Sequence, residues 1–265
     1  MRALTPASGP QYSSRIIKAG SLLADSRVYL REWDEGRSAR ENLAHFREVN
    51  VLGKRSRSRA EDVLAELRRR FPLESPDGGP GHALLRFVKE TPSPKAVDRV
   101  LAYHAAKSDP LLYDFITIHL ARLHERGERR VTVIDALTFL RESARRSATT
   151  RTWSSVTLNA LAKALLAASK DFALVSGRTR KVLTTPGLPL EAFLYIAYRL
   201  RRHAHGFSLL AHRDWRLFLL APENVEHLAI TAARQELLTY EALGQTASIG
   251  FPYSDLDALL NVIAR

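Results

Sequence analysis

Apolar residues recur at three- and four-residue spacing along most of the chain, the mark of helices with one buried face. Val63, Leu64, Leu67 and Phe71 share one such face, and Leu43, Phe46 and Val49 share another just upstream. Each stretch follows a serine with a glutamate three positions on, Ser38 with Glu41 and Ser58 with Glu61. That is the capping-box pattern, so helices are predicted to open at Ala39 and Arg59, the first stopping near Asn50. A further helix is predicted from Ser21 to Trp33, burying Leu22, Leu23, Tyr29, Leu30 and Trp33 and ended by Gly36. Residues 1–14 read as a loose arm, and Pro72–Gly81, dense in proline and glycine, as a loop or hinge.

From Ala83 to Ser147 the spacing is helical throughout. Pro94 and Pro110 fall at first turns, where the missing N–H costs nothing. Leu111, Phe115, Ile118 and Leu123 mark an inner face. Thr132 caps a helix that buries Val133, Leu137 and Leu140 and ends at Arg145-Arg146. After the polar run Ser147–Thr152, a helix from Trp153 to Lys170 gives way to two short apolar runs, Phe172–Val175 and Lys181–Thr184, around a Ser-Gly turn. That is a β-hairpin signal. Pro189 opens a helix over Leu190–Arg202, Ser208–Leu220 supplies one or two short helices, and Glu223–Gln235 another. A second hairpin is predicted from Leu238–Tyr240 and Ala247–Ile249 around Gly244, then a last helix over Tyr253–Ala264. The fold class expected is mainly α. It comprises an N-terminal three-helix, helix-turn-helix unit (12–75), a central helical scaffold (83–147) and a C-terminal part (150–265) of winged-helix-like units with short hairpins.

Charge then singles out two places. The connection Asn50–Arg59 carries Lys54, Arg55, Ser56, Arg57, Ser58 and Arg59 and no acidic residue. Two short helices joined by a glycine-containing turn are the helix-turn-helix pattern, whose second helix meets base edges and phosphates with its N-terminus. The plainer alternative is a solvated basic link between two core helices. The first hairpin carries Arg178, Arg180 and Lys181 at its tip, where a wing would reach a nucleic-acid backbone; an ordinary surface hairpin would look the same. A formal net charge of +12 over 265 residues favours a polyanionic partner, nucleic acid ahead of a membrane surface.

The chain has no cysteine, which excludes disulfides, thiol catalysis and cysteine-held zinc. Met1–Gln11 lacks the apolar core of a signal peptide, and no window reaches the ~18 uncharged apolar residues of a membrane span. A soluble, cytoplasmic protein without cofactor or metal is expected. His203-Ala204-His205 is flanked by Arg201 and Arg202, which would repel a cation, so a helix end decorated with positive groups is the better reading. His119 and His124 share no helix face, and His104 and His227 stand alone. Gly53-Lys54 is not a phosphate-binding loop, because Arg55 and Glu48 hold the positions that need serine or threonine and glycine. No nucleophile-elbow pattern occurs. The aromatic residues fall at apolar helix positions, which lowers single-strand and RNA recognition by stacking.

Several of these stretches resemble one family. Lys18–Arg27, the turn Asn50–Ser56, Arg69-Arg70-Phe71, the hairpin Phe172–Pro186 and the terminal helix–hairpin–helix are similar to BrxA, a small component of bacterial BREX phage-defence systems. The resemblance implies a helical, NusB-like protein with helix-turn-helix or winged-helix modules. It implies a non-enzymatic accessory factor that binds duplex DNA and works beside the system's methyltransferase, ATPase and phosphatase-like components. A label of inner-membrane protein attached to the family finds no spanning segment here. By position, the binding residues would be Lys54, Arg55, Arg57, Arg59, Arg178, Arg180 and Lys181. Two alternatives stay open. One is an assembly adaptor whose basic surface meets acidic partner proteins, motivated by the apolar, poorly charged second hairpin; the other is RNA binding by the helical scaffold.

Overall fold

The computed structural model describes residues 11–73, 80–143, 153–243 and 246–263. Its elements in chain order are α1 (Ile16–Ala19), α2 (Leu23–Arg31), α3 (Ala39–Glu48), α4 (Arg57–Arg70), α5 (Pro80–Glu90) and α6 (Pro94–Lys107). Then α7 (Pro110–Asp114), a π-helical stretch (Phe115–Leu120) and α8 (Ala121–Glu125) run on, followed by β1 (Arg130–Val131), α9 (Val133–Ser143), α10 (Ser155–Asp171), β2 (Val175–Ser176) and β3 (Lys181–Leu183). The last are α11 (Leu190–Leu200), α12 (Gly206–Leu210), a 3-10 turn (Arg213–Phe218), α13 (Pro222–Arg234), β4 (Thr239–Leu243), β5 (Thr246–Gly250) and α14 (Leu256–Ile263). The protein is mainly helical with short antiparallel strand pairs, the fold class that the periodicity predicts. The chain divides into two compact units, each assembled from separated stretches.

The first unit takes residues up to Ser21 together with Ala106–Pro186. Here α10 packs on α9 and on β2, and α1 lies on α10. Tyr12, assigned to a loose arm by sequence, is buried and donates its hydroxyl to Asp114 Oδ2 at 2.5 Å. The arm is thus anchored from Tyr12 on, and Ile16 in the following turn is buried as well. Asp109 caps α7 ahead of Pro110, accepting from the N–H groups of Leu111 and Leu112. The π-helical stretch then shifts the register. Leu111, Phe115 and Leu123 are buried as expected, but Ile118 is only half-buried, and Leu112, Ile116 and Leu120 complete the face.

Thr132 caps α9 through a reciprocal pair with Asp135. The buried residues of α9 are Ala136, Phe139, Leu140 and Ser143, with Val133 and Leu137 half-buried. Arg145-Arg146 and the polar run after it lie outside the described residues. The region is not helical throughout: Arg130 and Val131 form β1, opposite Val182 and Lys181 of β3. The hairpin of β2 and β3 is present, so the sheet has the order β1-β3-β2. Its turn needs glycine at Gly177, where φ is +87° and an added Cβ would lie 2.1 Å from the Arg180 carbonyl oxygen.

The second unit takes Leu22–Ala105 and Gly187–Arg265. Its α11 is apolar around its circumference and buried from Ala192 to Tyr198, so it is a core helix, with α13 and α14 packed on it. Two polar contacts thread this core. Tyr103 of α6 donates to Asp214 at 3.0 Å, and His104 Nε2 lies 2.9 Å from the Tyr195 hydroxyl. Asp214 is fully buried. Burial, with the Arg199 guanidinium adding to it, pushes His104 down to about 3, so its ring is neutral at pH 7. Burial likewise pushes the Tyr195 hydroxyl up to about 12.

At the surface of this unit, β4 and β5 pair from Thr239 opposite Gly250 to Leu243 opposite Thr246, the second hairpin that sequence predicts; Gly244 lies outside the described residues. The helix α2 starts at Leu23 after Leu22 turns left-handed (φ +52°), and it ends before Gly36 is reached. Arg86 of α5 holds α14 through Asp257, whose Oδ1 is 3.1 Å from Nη1.

Candidate nucleic-acid interface

The connection between α3 and α4 is built by local polar contacts. Ser38 and Glu41 form the reciprocal capping box that opens α3, with Glu41 Oε2 2.8 Å from the Ser38 N–H. The helix ends at Glu48, and Asn50 takes a left-handed φ of +48° that asparagine tolerates better than most residues. Its side chain then brackets Lys54: the carboxamide oxygen accepts from the Lys54 N–H at 3.0 Å, and the carboxamide nitrogen donates to the Lys54 carbonyl at 2.9 Å. Gly53 supplies the second positive φ, +59°. Leu52 is buried beneath. Val49, expected to point inward, is 58% exposed because α3 has ended before its side chain reaches the core.

The cap of α4 is Ser56, whose Oγ accepts from the Arg59 N–H, so the helix begins at Arg57 rather than Arg59. Ser58, read from sequence as the cap, lies inside the first turn. Glu61 does not close a box with it. It pairs instead with Arg47 of α3, Nε to Oε1 at 2.8 Å, and that hydrogen bond holds its carboxyl below the usual range. Lys54 is drawn inward as well: its Nζ meets Asp25 Oδ1 of α2 at 2.6 Å with the side chain 22% exposed. Residues 49–56 separate α3 from α4, longer than the three- or four-residue turn of a compact helix-turn-helix.

These contacts sort the residues predicted at this connection by role. Lys54 and Ser56 shape it. Arg55, Arg57, Ser58 and Arg59 are exposed on it, and neither Arg55 nor Arg57 forms an ion pair among the described residues. On the first hairpin, Arg178 and Arg180 are exposed, and Lys181 donates its Nζ to the Arg178 carbonyl at 3.1 Å, which closes the turn. Sequence reasoning passed over a third feature, a groove of about 390 Å³ lined by Ala39, Arg40, Leu43, Arg47 and Arg68. Its signal is present in the sequence, since Arg40, Leu43 and Arg47 repeat on one face of α3.

The histidines weighed as ligands are placed otherwise. His104 is tied to Tyr195, and His119 stacks on Phe115 in the first unit with its pKa lowered by burial and by Arg122. No cluster of three or more histidine or carboxylate side chains able to hold a metal occurs among the described residues. No helix of the described residues is long and apolar enough to cross a membrane.

The family model for BrxA matches residues 10–199, most of both units and both basic elements. The chain belongs to the BrxA family. Membership in the BrxA family points to a BREX-associated protein. No curated protein matches the chain. Among solved structures, an uncharacterized protein from Magnetospirillum magneticum is similar, with a TM-score of 0.62 and 18% identity over 80% of this chain and 100% of the other. At that identity the likeness extends the BrxA-family chain's fold to a second sequence and says nothing further.

Proposed function

We propose that this chain is a non-enzymatic accessory component of a BREX phage-defence system that binds duplex DNA through its phosphates. The observation that carries this is the connection between α3 and α4. A bracketed, doubly left-handed backbone sets Arg55 and Arg57 out in solvent, neither of them in an ion pair among the described residues. Ordering long cationic side chains on a flexible loop is costly, and a fixed backbone lowers that cost. Arginine forks suit phosphate oxygens, and such contacts position a duplex without reading its sequence. Arg59 at the same helix start, and Arg178 and Arg180 on the first hairpin, add charge of the same kind.

Charge reversal tests this. Arg55→Glu with Arg57→Glu is expected to weaken duplex binding by more than tenfold at ~0.1 M salt while leaving the helical circular-dichroism spectrum unchanged. Undiminished binding by the folded double variant would refute a role for this connection. A second reading rests on the second hairpin, where Leu243 at the end of β4 is 85% exposed. An apolar tip of this kind suits a protein partner, and the chain would then be an assembly adaptor of the defence complex. Retention of a partner by Leu243→Asp to the same extent as by the wild type would count against that role.

A further inference from the structure

We infer that the groove between α3 and α4 is a second phosphate-binding element, which takes the backbone of the same duplex onward from the Lys54–Arg59 connection. This rests on the duplex-binding reading and adds residues to it. The groove is lined by three arginines, Arg40 and Arg47 from α3 and Arg68 from α4, and by the apolar Ala39 and the 5% exposed Leu43. Among the described residues its lining holds no aromatic ring on which an unpaired base could stack. Its chemistry is that of an arginine cleft for phosphodiester oxygens.

The layout follows from the helices. Arg47 sits one residue before the end of α3, beside the connection, and Arg40 lies two turns back, about 10 Å along the axis. Measured along a duplex axis, that length corresponds to about three base-pair steps. Arg57 opens α4 four residues before Glu61, which pairs with Arg47 of the groove, so basic residues run from the connection to the groove. An anion stands beside these arginines. Glu61 holds Arg47 at 2.8 Å, with both side chains more than two-fifths exposed, so a phosphate entering the groove competes with Glu61 for Arg47. Glu61 therefore weakens binding, and its removal strengthens it. A merely structural Arg47–Glu61 pair would give the opposite result or none.

The test is fluorescence anisotropy of a mixed-sequence duplex with the full chain, titrated at several salt concentrations. Arg40→Ala is expected to lower the salt slope by about 0.9 and the affinity by about eightfold at ~0.1 M salt, equally for unrelated sequences. Glu61→Gln is expected to raise the affinity several-fold and the slope by up to about one. Arg68→Ala should follow Arg40→Ala where circular dichroism shows it folded. Wild-type binding that neither Arg40→Ala nor Glu61→Gln changes would overturn the groove and leave the connection standing. Absence of duplex binding by the wild type would overturn both. Stronger binding of an RNA duplex or an acidic peptide, sensitive to the same substitutions, would overturn the assignment to DNA.

Discussion

Asn50 gives the sharpest test of how the basic connection is held. Its side chain makes two hydrogen bonds to Lys54, at 3.0 and 2.9 Å, from a left-handed backbone at φ +48°. Replacement by alanine removes both bonds and leaves a Cβ-bearing residue in the left-handed region without a local polar partner. Each exposed hydrogen bond is worth about 0.5–1 kcal/mol, and the left-handed conformation costs an ordinary residue about 1 kcal/mol or more. Asn50→Ala should therefore destabilise the protein by about 2–3 kcal/mol. Glycine relieves the backbone and removes only the bonds, so Asn50→Gly should cost about 1–2 kcal/mol. Urea unfolding with unchanged m-values measures both.

In DNA binding, Asn50→Ala removes no charge, so the affinity should fall while the salt slope stays at the wild-type value. Glycine as damaging as alanine would show that the backbone conformation is not what Asn50 provides. Two variants as stable as the wild type would refute the bracket altogether.

Further outcomes are expected inside the two units. Tyr103→Phe leaves the buried Asp214 carboxylate without its 3.0 Å donor and should cost about 1–3 kcal/mol, measured by chemical unfolding, with no change in DNA affinity. His104 is held neutral, with its pKa pushed to about 3, so the unfolded chain takes up a proton there that the folded one refuses. Its contribution is intact above about pH 6.5 and is lost progressively as the pH falls towards 3. His104→Gln should flatten that part of the stability–pH profile. Gly177→Ala must move the Arg180 carbonyl and abandon φ +87°, so it should disrupt the first hairpin, read as loss of amide protection at Ser176 and Val182, and should lower binding through Arg178 and Arg180.

What sequence reveals here is what a residue does with its near neighbours. The Ser38–Glu41 and Thr132–Asp135 caps, the prolines at the first turns of α6 and α7 and both hairpins rest on contacts a few residues apart, and each is read correctly. Tertiary partners account for the differences. Ser56 and Ser58 are both eligible caps, and what sets Glu61 apart from either is Arg47 on another helix. The two residues of β1 carry no alternation of their own and owe their form to β3. Tyr12 stands in a polar stretch and is buried by an aspartate 102 positions away. The basic connection is legible as charge, but the withdrawal of Lys54 by Asp25, 29 residues earlier, is not. The groove needs Arg40, Arg47 and Arg68 to converge from two helices, and only its α3 half shows in the spacing.

The most direct measurement is the salt dependence of wild-type binding to a mixed-sequence duplex, with RNA of equal length as competitor. A log–log slope of about −3 or steeper, at about 0.9 per neutralised phosphate, is expected from the arginines of the connection, the groove and the hairpin, with RNA displacing the duplex poorly. No duplex binding at low salt, or binding indifferent to salt, would contradict a role for these arginines on DNA phosphates.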